Sequence, residues 1–195
     1  MPRIAIVVAF CLWGAAHWWT ERPVAQPSGV VAPEPPTQIG VKDIRWFDRG
    51  MYQITPLASF EIKARILGRE NYLFDAGAEL VPVDLALGWG PMSDSEVLEH
   101  IDISQSGRFY FWKVKQFPIP RRDIETHSAN MHLIPANDRV EAILDDTREG
   151  QVVALRGYLV RADRADGWEW QSSLTREDTG AGACELIWVE ELAIL

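Results

Sequence analysis

Few side chains in this sequence carry chemistry that acts on another molecule, and they fall into small groups. Cys184 is the one cysteine after residue 40, and Glu185-Leu186-Ile187 follow it. A nucleophilic thiol works as the thiolate, which positive surroundings favour; Glu185 opposes that ionisation, and the alternation of Cys184 with Leu186 and Trp188 suits a strand residue facing a core. The second group is His127-Ser128-Ala129-Asn130-Met131-His132, set between Pro118, Pro120 and Pro135 and expected as an ordered loop. Two imidazoles and an amide can serve acid-base or metal chemistry. A five-residue gap, however, puts the histidines on opposite faces of a strand and off the i, i+4 alignment of a helix, so neither a metal site nor a cofactor is expected. Asn130 and one histidine are instead expected to satisfy loop backbone. The third group, Ser172, Ser173, Thr175, Arg176, Asp178 and Thr179, can bond a ligand or its own turn, and neither serine sits in a Gly-x-Ser-x-Gly elbow. Trp89, flanked by Gly88 and Gly90, can shape a pocket or pin a loop. The expected binding surface is therefore Trp89, His127, Asn130, His132 and Arg176. No catalytic signature emerges, so a binding role is expected ahead of an enzymatic one.

The elements that must position these residues read as strands. Phe60-Glu61-Ile62-Lys63-Ala64-Arg65-Ile66 alternates apolar with charged, the period of a half-buried strand. Gln151 to Arg161 points Val153, Leu155, Gly157 and Leu159 one way, with the glycine where a bulge or barrel bend is needed. Asp166-Gly167 then gives a hairpin signal into Trp168 to Leu174, and Cys184 to Glu190 follows as a last strand. Arg108 to Val114 is aromatic on both faces, which predicts a strand covered on both sides. Short helices punctuate the strands: Ser93 and Glu96 have capping-box spacing, and Asn137 caps a turn that carries Val140, Ile143 and Leu144 on one stripe. His100, at the end of the first helix, is expected to meet its dipole. The expected fold is mainly β, a small OB-like or related β-barrel or meander with one or two short helices. The resemblance to OB-type barrels rests on the Val153-x-Leu155-x-Gly157-x-Leu159 stretch, and it implies a fold without assigning any functional position.

Ahead of that domain, Ile4 to Trp19 runs sixteen residues without a charge, between Arg3 and the pair Glu21-Arg22, and closes on Trp18 and Trp19. Residues 1–20 are expected as a membrane anchor or, with Gly14 and Ala16 before a cut, a signal peptide; residues 21–40, with five prolines, as a linker; residues 41–195 as one β-rich domain. Arg3 before the segment places the domain outside the cytoplasm, as a single-pass protein or, after cleavage, in a secreted or periplasmic form. The domain carries 17 Lys and Arg against 26 Asp and Glu, so nucleic acid is not an expected partner; the bilayer through residues 4–19 and an envelope protein or glycan are.

A lone cysteine on an exterior β-domain invites comparison with sortases and cysteine L,D-transpeptidases. Those families place an arginine just after the cysteine, and here no arginine follows Arg176. Three roles remain open: a binding or interaction module, an envelope cysteine hydrolase or transferase using Cys184 with His127 or His132, and a structural subunit of a membrane complex. Six of the nine tryptophans lie after residue 40. Trp168 and Trp170 share a strand face, as sugar-stacking or core-filling indoles do.

Overall fold

The alternation that starts at Tyr52 runs far beyond the Phe60–Ile66 segment, because Pro56 and Gly68, which would break a flat strand, fall at bulges. In this computed structural model, which describes residues 22–42, 45–175 and 184–195, strand β3 spans Tyr52–Asn71 with register shifts at Pro56/Ala58 and Ile66/Gly68. A proline without an N–H, and a glycine that adds no bulk, are both tolerated where pairing slips. The two bends let one strand serve several partners. Along one edge β3 pairs with β8 (Val152–Arg164); along the other it meets β2 (Phe47–Arg49), β1 (Thr37–Gly40) and β4 (Val83–Gly88) in turn.

From β4 the sheet continues through β7 (Ser128–Pro135) and β10 (Glu185–Ile194) to β8, and so returns to β3. The chain is mainly β, and this sheet closes on itself through the β3–β8 pairing. All neighbours on that path are antiparallel except β7 and β10. Phe60, Ile62, Ile66, Leu85, Met131, Leu133, Leu155 and Ile187 fill the interior. Helix α3 (Asp138–Asp145) adds Val140 and Leu144 to them. Asn137 caps that helix as expected, accepting from the Val140 N–H.

Two further layers cover the outer side. The hairpin β5 (Ile101–Ser106) and β6 (Phe109–Val114), with α1 (Ser95–Leu98) and α2 (Arg121–Thr126) beside it, packs Ile103, Tyr110 and Trp112 over Leu67, Ala86, Met92 and Ile124. Trp168 and Trp170, the latter on the short β9 (Glu169–Gln171), cover Tyr52, Leu80, Ile134 and Leu186. Two expectations change here. The Trp168–Leu174 strand shortens to β9, and β6 is covered on one face only, leaving Phe109 and Phe111 exposed on the other. The helix cap also moves by one residue: Asp94 accepts from Glu96 N–H, while the Ser93 hydroxyl donates to Gly90 O and accepts from Ala32 N–H.

Residues 24–40 are fastened to this body and do not run free as a spacer. Val24 N–H donates to Glu149 O, the Gln26 amide to Gly150 O, Gly29 N–H to Asp94, and Gly90 N–H to Ala32 O before β1 joins β3. Gly150, at φ 84°, has no room for a side chain because the Val24 carbonyl occupies the place a Cβ would take. No helix among the described residues is long and apolar enough to cross a membrane, and residues 4–19 lie outside them.

Candidate functional site

The sequence of β4, Val83-Asp84-Leu85-Ala86-Leu87-Gly88, is buried throughout, and Asp84 is 0% exposed. A carboxylate in such a strand must be matched by charge and hydrogen bonds. Its cross-strand neighbour on β7 is His132, whose Nδ1 lies 2.9 Å from Asp84 Oδ1. The approach is close but off the direction that would align the ring N–H as a hydrogen bond. Asn130, two residues earlier on the same face, donates to Asp84 Oδ2 at 3.3 Å and accepts from the Gln105 amide at 2.7 Å. Gly68 leaves the space that Gln105 enters.

The strongest partner is Arg108, which comes from the tip of the β5–β6 hairpin. Gly107 (φ 59°) and Arg108 (φ 71°) are both left-handed, the geometry of a two-residue type I′ turn, where Asn-Gly is the usual pair and a long β-substituted side chain is unfavourable. The side chain explains its presence. Nη1 reaches Asp84 Oδ1 at 2.9 Å, Nε and Nη2 clasp both Asp75 oxygens at 2.9 and 3.0 Å, and the guanidinium lies 3.5 Å over the Tyr72 ring. The Arg108 N–H also donates to the Tyr72 hydroxyl, and its carbonyl accepts from Asn130. With all three guanidinium nitrogens engaged by carboxylates, Arg108 locks the hairpin to the sheet.

Burial alone would raise the Asp75 carboxyl, but hydrogen bonds from Arg108 and the Gly77 N–H outweigh it and hold the group below the usual carboxylate range. Tyr72 moves the other way: burial and the nearby Asp84 charge push its hydroxyl up to about 12. Trp170 roofs the network, its ring 4.6 Å from His132 and 5.5 Å from the Arg108 guanidinium, seated against Gly77 where a Cβ would meet the indole. Trp168 stands at 89° to it, 6.1 Å away. The pair therefore forms a corner, not the coplanar platform that a shared strand face suggests.

The residues expected to form one loop surface divide. Asn130 and His132 come together on β7, inside a strand and not a loop, and both are buried. Trp89 and His127 meet elsewhere, with ring centroids 6.5 Å apart. Trp89 is a buried core residue, which corrects its expected place on a loop surface, because its flanking glycines turn the chain and send the indole inward. His127 ends α2, its Nδ1 2.9 Å from Asp123 O, its ring against Gly90. Arg176 lies outside the described residues. Among the described residues no group of three or more His, Cys, Asp or Glu is arranged to hold a metal ion.

Cys184 immediately precedes β10, whose Leu186 pairs with His132 in parallel register. Glu185, opposite Met131 in that register, is buried on the interior face. Sequence reasoning passed over Asp84, Arg108, Tyr72 and Asp75. A carboxylate inside an otherwise apolar run was the legible signal for the first. Comparison with family models, with curated proteins and with solved structures finds no match for this chain.

Proposed function

We propose that the chain is a membrane-tethered, extracytoplasmic binding module built on an OB-like barrel, with a neutral envelope glycan as its ligand. The observation that carries this is the strand order β3-β4-β7-β10-β8 returning to β3, with β7 parallel to β10 and α3 between β7 and β8. In OB-type barrels the second and third strands, with the loops joining the first to the second and the fourth to the fifth, take up oligosaccharides and oligonucleotides. The corresponding parts here are β4 and β7, whose outer face the β5–β6 hairpin and Trp170 cover, so the accessible part is the segment after Asn71 and the half-buried Trp168 and Trp170 of the β8–β10 connection. The Asp84 network braces that region, and the formal charge of −9 argues for a neutral ligand over a polyanion. This use of the face is a fold-level analogy. The uncharged run Ile4–Trp19 supports the tether, and Arg3 the outward orientation.

Full-length protein in nanodiscs, labelled with 5-fluorotryptophan and titrated with chitotetraose, tests the proposal. The fluorine signals of Trp168 and Trp170 are expected to shift saturably while that of buried Trp89 stays fixed. Unmoved signals from Trp168 and Trp170 at millimolar sugar would discard the glycan reading.

A second reading is an envelope cysteine hydrolase or transferase using Cys184 with His127 or His132. The check is the rate of thiol alkylation against pH in native and unfolded protein. Rapid native labelling with an apparent pKa below that of a free thiol is what this reading requires, and labelling only on unfolding would remove it.

A further inference from the structure

The β5–β6 hairpin lies in sequence between β4 and β7 and folds back over the outer face of those two strands. Its two halves are held differently. Toward the base, Ile103, Tyr110, Trp112 and Val114 pack on Leu67, Ala86, Met92 and Ile124. At the tip, residues 105–109, the grip passes to polar groups. The Gln105 amide donates to Asn130, the Arg108 guanidinium bonds Asp84 and Asp75, its N–H donates to Tyr72, and its carbonyl accepts from Asn130. Phe109, the one large apolar side chain of the tip, turns outward.

What lies beneath the tip is polar as well. Asp84, Asn130 and His132, all three buried, form one strip on the outer face of β4 and β7, and Trp170 stands beside His132. A permanently covered face is held at least as well by apolar side chains, since a buried ion pair must first offset its own desolvation. His132 Nδ1 is left without a hydrogen bond in this covered pose. A carboxylate, an amide and an imidazole beside an indole are the groups that bond sugar hydroxyls and take the apolar face of a sugar ring. Here the tip supplies the donors itself: the Gln105 amide meets Asn130 Oδ1 and Arg108 Nη1 meets Asp84 Oδ1, where hydroxyls would donate.

We infer that residues 105–109 form a flap that lifts from β4 and β7 and uncovers Asp84, Asn130 and His132 as the polar floor of the glycan site, with Trp170 as its wall. This rests on the ligand proposed above. Arg108 is the latch, and Asp75, whose side chain is 39% exposed, holds it from the solvent side. Only the open form takes the sugar, so the apparent affinity is the intrinsic one reduced by the open fraction, and loosening the latch tightens binding.

Asp75→Asn tests the latch, because the amide keeps an acceptor for the Gly77 N–H and removes the charge that clasps Arg108. Opening is read in full-length protein by the alkylation rate of a buried thiol, with adducts located by mass spectrometry. Asn130→Cys places the thiol under the flap, and Ala64→Cys places it in the barrel interior. Adding Asp75→Asn is expected to speed alkylation at position 130 about tenfold and leave position 64 unchanged. Chitotetraose titration of Asp75→Asn alone, followed by the fluorine signal of Trp170, is expected to give a dissociation constant about tenfold below that of the wild type. Acceleration at both positions alike, or at neither, overturns the flap. Sugar binding that Asp75→Asn leaves unchanged or weakens overturns it too, and leaves the glycan reading standing. Acceleration at position 130 alone, with no sugar bound by either protein, overturns the glycan as occupant and the glycan reading with it.

Discussion

Arg108→Ala is expected to lower the unfolding free energy by about 3–5 kcal/mol, because it strands the fully buried Asp84 and removes the clasp on Asp75. Thermal and denaturant unfolding of the variant measure the loss. Two companions identify its source. Arg108→Gly removes the same charge but relieves the left-handed backbone, so it should be milder than Arg108→Ala by about 1 kcal/mol. Asp84→Asn, added to Arg108→Ala, should recover part of the loss, since an uncharged amide in that position no longer needs a cation. If Arg108→Ala unfolds like the wild type, the network is an exposed surface feature and the hairpin is held by its apolar contacts alone.

Gly157→Ala carries the second large effect, about 3 kcal/mol of destabilisation, at the upper end of ordinary overpacking. Gly157 pairs with Val189, and the register slips between Val189 and Glu191, leaving Glu190 as the extra residue of a bulge. A Cβ on Gly157 would land on the Trp188 carbonyl and come within 3.2 Å of the Glu190 nitrogen. Both are backbone atoms and cannot swing aside. Gly40→Ala is the control: nothing lies within 4 Å of its added carbon, and the change is expected within about 0.5 kcal/mol of neutral. Equal denaturation midpoints for the two variants would show that the β8–β10 crossing opens to admit a methyl group.

The parts of this fold that a local pattern encodes were readable from the chain. Period-two alternation announced β3 and β8, Gly157 marked a bend, and Asn137 capped α3. What the sequence hid depends on distant partners. β4 is apolar at nearly every position because both of its faces are covered, so it carries no period to detect. β7 carries the polar Asn130 and His132 between prolines, which resembles a loop until Asp84 and Gln105 are seen to bond Asn130 and the Asp84 carboxylate to lie against His132. Arg108 gave no signal, since a left-handed arginine makes sense only when its carboxylates are in view. For the candidate site, chemistry-bearing types were identified at Asn130 and His132, and their grouping with Trp89 and His127 failed because surface placement is a tertiary property.

The fastening of residues 24–40 also bears on how the chain assembles during synthesis. The first described residues to leave the ribosome find their partners late: Gly29 waits for Asp94, and Val24 for Glu149, more than a hundred residues downstream. Contacts so distant in sequence close slowly, after the entropy of the intervening loop has been lost. Val24 and Gln26 thus dock only once Glu149 and Gly150 have emerged, whereas β1, about twenty residues from its partner, covers the β3 edge at Ala58–Glu61 early and keeps it from pairing with a neighbouring chain.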